Sequence, residues 1–153
     1  MDRQRQKDCN RLEEILRQHD DRSIAILSAA YIENLLDVII THRFVEGWTN
    51  KIARSFYDKI EFVFAVGIMS KDECDNLHTI RGIRNEFAHR FLEGLSFDSS
   101  AIKSKCGRLA YDDHFWVSGD QVSSFRDKFI SSACIASRCL LFREYGDRFE
   151  YEY

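Results

Sequence analysis

The 153-residue chain has no proline, where average usage of ~5% would give roughly seven. Proline breaks helix interiors, so its absence permits long helices without proving them. An excess of positive charge is missing too: 22 Lys and Arg stand against 25 Asp and Glu, a net charge of −3. A dedicated DNA-binding domain needs a basic face to neutralise phosphates, which argues against that class while leaving room for a local patch. No helix-turn-helix, Gly-rich phosphate loop or nucleophile elbow is present. The five cysteines (Cys9, Cys74, Cys106, Cys134 and Cys139) form no CxxC pair and leave one over. Free thiols in a reducing compartment fit that pattern better than a disulfide framework. No uninterrupted apolar run reaches bilayer length, and the first seven residues are charged rather than signal-like. The expectation is a cytoplasmic protein. With no linker, repeat or low-complexity tract, one domain is expected over Met1–Tyr153.

What is there is a globular composition, 44% hydrophobic and 31% charged, in a chain long enough to bury about two thirds of its unfolded surface. The pattern predicts an all-α bundle of five or six helices. Residues 3–18 carry a thin stripe of Cys9, Leu12, Leu16 and His19, a helix docking by one edge. Asp20 or Asp21 can cap a second helix over residues 22–43. Ile24, Leu27, Tyr31, Leu35 and Val38 recur there at helical spacing, and Ile26, Ala30, Ile32, Leu36 and Ile40 widen the apolar surface. A helix apolar on most sides is a central one. Gly47 is expected in the following loop and a third helix near residues 50–66, with Gly67 as its stop.

Ser70 and Glu73 form an S-x-x-E capping box that opens a fourth helix, expected to run to Leu92 before Gly94. Asp98 can cap a short fifth helix over residues 99–109. Residues 111–119 read as aromatic and irregular, 111–117 being the one faintly strand-like stretch. Asp120 is expected to start a last helix, to about Arg143.

The fourth helix carries the most chemistry. At about 100° per residue, Leu77, Ile80, Ile83, Phe87 and Phe91 share an apolar face. His78, Arg81, Asn85 and His89 share a polar one, a candidate binding stripe. Arg84 falls inside the apolar arc, where an unpaired guanidinium is too costly. Glu33 and Asp37, one turn apart on the second helix, are its expected acceptors in a structural ion pair. The other reading gives Arg84 and His89, with Asn85 in support, a catalytic role. Arg84-Asn85-x-x-x-His89 resembles the motif of HEPN helical domains, in which arginine and histidine serve metal-independent RNA cleavage, typically across a dimer interface. A histidine near neutral pKa can move the proton, and an arginine can hold the developing phosphate charge. On one regular helix, however, the two side chains point about 140° apart.

Other groupings carry less. Cys74 and His78 are one turn apart and offer two metal ligands, whereas zinc needs three or four. His89 lies about 16 Å further along the helix, so no metal or other cofactor is expected. Glu33 with Asp37 lacks the Glu-x-x-His partner of a di-metal bundle. His114, Phe115 and Trp116, after Tyr111, form an aromatic cluster that serves a core seal or an interface anchor. The basic start (Arg3, Arg5, Lys7, Arg11) is diluted by Asp2, Asp8, Glu13 and Glu14, as on a solvated helix face.

Three runs together resemble the MltR family, whose founding members are named as mannitol operon repressors. Asp21-Arg22-Ser23-Ile24-Ala25-Ile26-Leu27-Ser28-Ala29-Ala30-Tyr31-Ile32-Glu33 is similar to that family's DR-x-A-A-I-x-x-A-A-Y-L-E opening. Phe56 through Gly67 to Ser70, with Lys59-Ile60-Glu61, resembles its F-x-x-K-I-x-x-A-x-x-L-G-L-I-S stretch. Ile83-Arg84-Asn85-Glu86-Phe87-Ala88-His89 and Leu95-Ser96-Phe97-Asp98 complete the set. The resemblance covers about residues 20–110; Phe62-Val63-Phe64-Ala65-Val66 is bulkier than the family's stretch, and the last forty residues match nothing in it. It implies an all-helical bacterial regulator acting through a protein partner, a phosphocarrier or a transcription factor, without sequence-specific DNA binding. The HEPN-like motif implies instead an RNA-cleaving homodimer, a toxin or defence component.

Overall fold

In the computed structural model, which describes residues 2–44 and 53–145, the most apolar segment of the sequence becomes the central helix. This is α2 (Asp21–Arg43), following α1 (Asp2–Arg17) after a short turn. Asp20 opens α2: its carboxylate accepts from the Ser23 hydroxyl at 2.5 Å and from the Ser23 amide at 3.0 Å, and these bonds hold its pKa below the usual carboxylate range. The remaining helices are α3 (Phe56–Ala65), α4 (Lys71–His89), α5 (Ser100–Cys106) and α6 (Phe125–Tyr145), with a 3₁₀ turn at Phe91–Glu93. The all-α bundle expected from the pattern is the fold, with six α-helices and one isolated bridge, His114 to Gln121, among the described residues.

α2 packs against α1, α3, α4 and α6, which is why it is apolar on several sides. Ile24, Ala25, Ala29, Ile32, Leu35, Leu36, Ile39 and Ile40 are buried, while Ile26 and Leu27 are exposed. By length and mean hydropathy alone α2 would suffice to cross a membrane, contrary to the reading of the sequence. Half of its apolar window is buried inside the bundle, and a core helix has that composition for packing reasons.

Paired capping boxes start the next two helices. Ser55 and Asp58 open α3, and Ser70 and Glu73 open α4, each hydroxyl and carboxylate exchanging bonds with the other's backbone amide. Gly67, in the turn between them, has φ +78°, which glycine adopts without steric cost. The short connection makes α3 and α4 an antiparallel pair.

Several expected boundaries move. α4 ends at His89 rather than Leu92, because the chain turns through Gly94 (φ +61°) to bring Phe97 into the core. There Phe97 is 1% exposed, its ring 5.2 Å from Phe87 and 5.1 Å from Phe129. Phe91, expected on the apolar face of α4, is exposed instead. α5 starts after Ser99, with no cap from Asp98. The last helix starts at Phe125 rather than Asp120, whose carboxylate accepts from Arg17 at 2.7 Å. Gly47 and Asn50 lie outside the described residues. In the aromatic stretch Phe115 is buried and Trp116 exposed, so it serves as a core seal at one residue only.

Candidate functional site

The polar side of α4 divides into two regions. Toward its N-terminal half it faces α3, and His78 Nε2 lies 2.6 Å from Glu61 Oε1. The Tyr57 ring stands 5.0 Å from the His78 ring, and the Arg81 guanidinium sits 5.1 Å from the Tyr57 centroid. Cys74, buried one turn before His78, contacts the same Glu61 oxygen at 3.8 Å. Burial, and then the Glu61 charge, push the Cys74 thiol pKa up. Among the described residues, His78 Nδ1 and Arg81 Nε are buried without a hydrogen-bond partner.

The C-terminal half of α4 holds the other candidates. Arg84 is half-buried, and its Nη1 donates to Asn85 Oδ1 at 3.0 Å. His89 is exposed at the last position of the helix. Arg84 and His89 therefore remain on one regular helix, diverging as the spacing requires, and do not converge on a common point within a single chain.

The expected ion pair of Arg84 with Glu33 and Asp37 is not formed. Both carboxylates go to Lys59 of α3, whose ammonium donates to Glu33 at 2.8 Å and to Asp37 at 3.0 Å. The reason is register. Arg22, at the start of α2, donates to the Phe91 carbonyl beyond the end of α4 at 2.7 Å, so these helices run antiparallel. Arg84 lies roughly two turns before Phe91, level with α2 residues short of Glu33. Glu33 and Asp37 lie further on, beside α3. A lysine suits the place because its three donors can serve two carboxylates at once. Among the described residues Arg22, Arg81 and Arg84 form no ion pair with a carboxylate.

The joined ends of α2 and α4 carry exposed apolar side chains and two arginines, Arg22 and Arg84, without a carboxylate partner among the described residues, alongside the Arg90–Glu93 ion pair. Ile26 and Leu27, one turn after Arg22, are 37% and 43% exposed, and Phe91 and Leu92 are 58% and 86% exposed. Arg84 and His89 belong to the same end of α4. Helix spacing brought out the arginines and histidines, but not Leu92, which only the early end of α4 exposes. Reasoning from the sequence also missed Glu61 and Tyr57. Cys74 and His78 were visible as a one-turn pair, but the third donor comes from another helix. The oxygen, sulfur and nitrogen of Glu61, Cys74 and His78 lie within 4.8 Å of one another, so the argument that excluded a metal for want of a third ligand no longer holds.

Compared with known proteins, the chain matches no family model, and no curated protein or solved structure gives a significant match.

Proposed function

We propose that the chain is a bacterial regulatory protein of the MltR kind, acting through protein–protein contact rather than by binding DNA itself. The observation that carries this is the surface where α2 meets the end of α4. Ile26, Leu27, Phe91 and Leu92 are exposed on these segments, which also carry Arg22 and Arg84, arginines without a carboxylate partner among the described residues. Interfaces concentrate apolar anchors and arginine, and an apolar patch with a cationic rim fits a partner with an apolar patch and an acidic one. A phosphocarrier or a transcription factor supplies such a partner. The net charge of −3 agrees with indirect action on transcription.

The test is genetic and biochemical together. Replacing the native copy by the Phe91→Asp, Leu92→Asp double variant should reproduce the transcript changes of a deletion, with the purified variant still folded. The purified wild type should not retard DNA from the affected promoters. A variant that regulates normally, or a wild type that binds those promoters alone, overturns the reading.

One observation favours a second reading. Arg84 is not neutralised by Glu33 and Asp37, so its charge is available to a phosphate, and Asn85 steadies its guanidinium. In a HEPN-type endoribonuclease a second copy would supply the convergence that one helix denies to Arg84 and His89. Incubation with mixed single-stranded RNA in EDTA separates the readings. Cleavage that disappears in His89→Ala makes the chain a metal-independent RNase; intact RNA with a folded sample removes that reading.

A further inference from the structure

We propose that Glu61, Cys74 and His78 form a zinc-binding site that ties α3 to α4, independent of the contact surface described above. Three donor atoms of the types zinc prefers come together from two helices. Cys74 and His78 are one turn apart on α4, which puts thiol and imidazole on the same side. Glu61 reaches them from α3, the other arm of the antiparallel pair. His78 Nε2 and Glu61 Oε1 are 2.6 Å apart, Cys74 Sγ and Glu61 Oε1 3.8 Å, and the three donor atoms all lie within 4.8 Å. Tetrahedral zinc with ordinary bond lengths separates such donors by about 3.4–3.6 Å. The cluster needs an adjustment on the order of 1 Å to meet that geometry. The Glu61 carboxylate is the group to move, since its side chain is 45% exposed while Cys74 is held in the core.

The charges balance. A thiolate and a carboxylate supply two negative charges to a dication, and the neutral imidazole adds none. Without the metal a cysteine thiol carries its proton at neutral pH. Zinc binding therefore releases that proton to solvent as the S–Zn bond forms. Among the described residues His78 hydrogen-bonds to Glu61 alone, and its buried Nδ1 has no partner. Tyr57 lies against the imidazole, and the Glu61 side chain is half-exposed to solvent.

The full chain, stripped with chelator and kept reduced, would be titrated with zinc and separately with cobalt(II). One equivalent should bind per chain, and cobalt should show a thiolate charge-transfer band together with visible tetrahedral bands. Cys74→Ser should abolish the charge-transfer band, and Glu61→Gln and His78→Ala should weaken zinc binding by more than about tenfold. Cys139→Ser, outside the cluster, should leave both unchanged. Circular dichroism checks the fold of each variant, and Glu61→Gln, at a half-exposed position, carries the test if the buried Cys74→Ser fails to fold. A folded wild type that holds no zinc against a weak chelator overturns the site. So does binding that survives Glu61→Gln undiminished.

Discussion

Lys59 is a lysine with 9% of its surface exposed, and two carboxylates make that tolerable. Burial pulls its pKa down, but the bonds from Glu33 and Asp37 outweigh burial and leave it above the ordinary lysine value. A base whose folded pKa is raised contributes stability that is complete below the unfolded pKa and lost as pH rises through the folded one. Lys59→Met should therefore cost about 1–2 kcal/mol near neutrality, leaving two carboxylates facing each other. That is less than for a fully buried pair, because Asp37 is half-exposed. Denaturant melts across pH should show the deficit shrinking as alkali passes the lysine range; a deficit constant with pH would show that lost packing, not charge, is the cause. Ser28 is the opposite case: its hydroxyl is fully buried in α2 with no partner among the described residues. Ser28→Ala removes that unsatisfied group and adds a better helix former, so the urea midpoint should rise by the equivalent of about 1 kcal/mol at unchanged slope. A lower midpoint would mean that the hydroxyl is bonded after all. Neither residue's role was legible in the sequence. Arg84 looked like the partner of Glu33 and Asp37 because all three lie on strongly patterned helices, but which turn of α2 faces which turn of α4 is a tertiary fact.

At the level of helices, interiors were legible and ends were not. Leu77, Ile80, Ile83 and Phe87 are all buried, as the spacing of α4 requires, and the Ser70–Glu73 box forms as its pattern predicts. The same periodicity wrongly extended the buried face to Phe91. Nothing local forbids that extra turn; burial of Phe97 between Phe87 and Phe129 decides against it. Arg90 then secures the break, donating to both Glu86 and Glu93. The two phenylalanines should thus respond very differently. Phe97→Ala should cost about 3–5 kcal/mol, since it opens a cavity in an aromatic stack. Phe91→Ala should stay within about 0.5 kcal/mol, as an exposed substitution usually does. Comparable losses from the two in urea denaturation would mean that α4 continues through Phe91 in solution. The candidate metal cluster shows the same division: one helix gave Cys74 and His78 by spacing, while Glu61 depends on how α3 folds back.

Across the whole molecule, sequence-distant ends are held together by a few charged groups. Arg126 at the start of α6 donates to Asp21 at 2.8 Å and to the His19 carbonyl at 2.6 Å, fixing the turn between α1 and α2. At the opposite end of α6, Arg143 donates to Glu73, the residue whose other oxygen accepts from the Ser70 amide at 2.7 Å. Glu73 therefore serves the start of α4 and the end of α6 at once. Burial raises its pKa, but the Arg143 and Ser70 bonds prevail and hold it below the usual glutamate range. An acid with a depressed folded pKa contributes stability present above the unfolded pKa and lost as pH falls through the folded one. Glu73→Gln keeps an oxygen for the Ser70 amide and removes the charge. It should cost about 1 kcal/mol at pH 7, a modest figure because both partners are partly exposed. In acid well below the ordinary glutamate range, wild type and variant should converge as pH falls through the depressed folded pKa. Thermal melts of the two proteins at neutral pH and in acid measure this, with circular dichroism at each. A gap that persists in acid would assign the loss to cap geometry, leaving the Arg143 pair with no measurable part in joining α4 to α6.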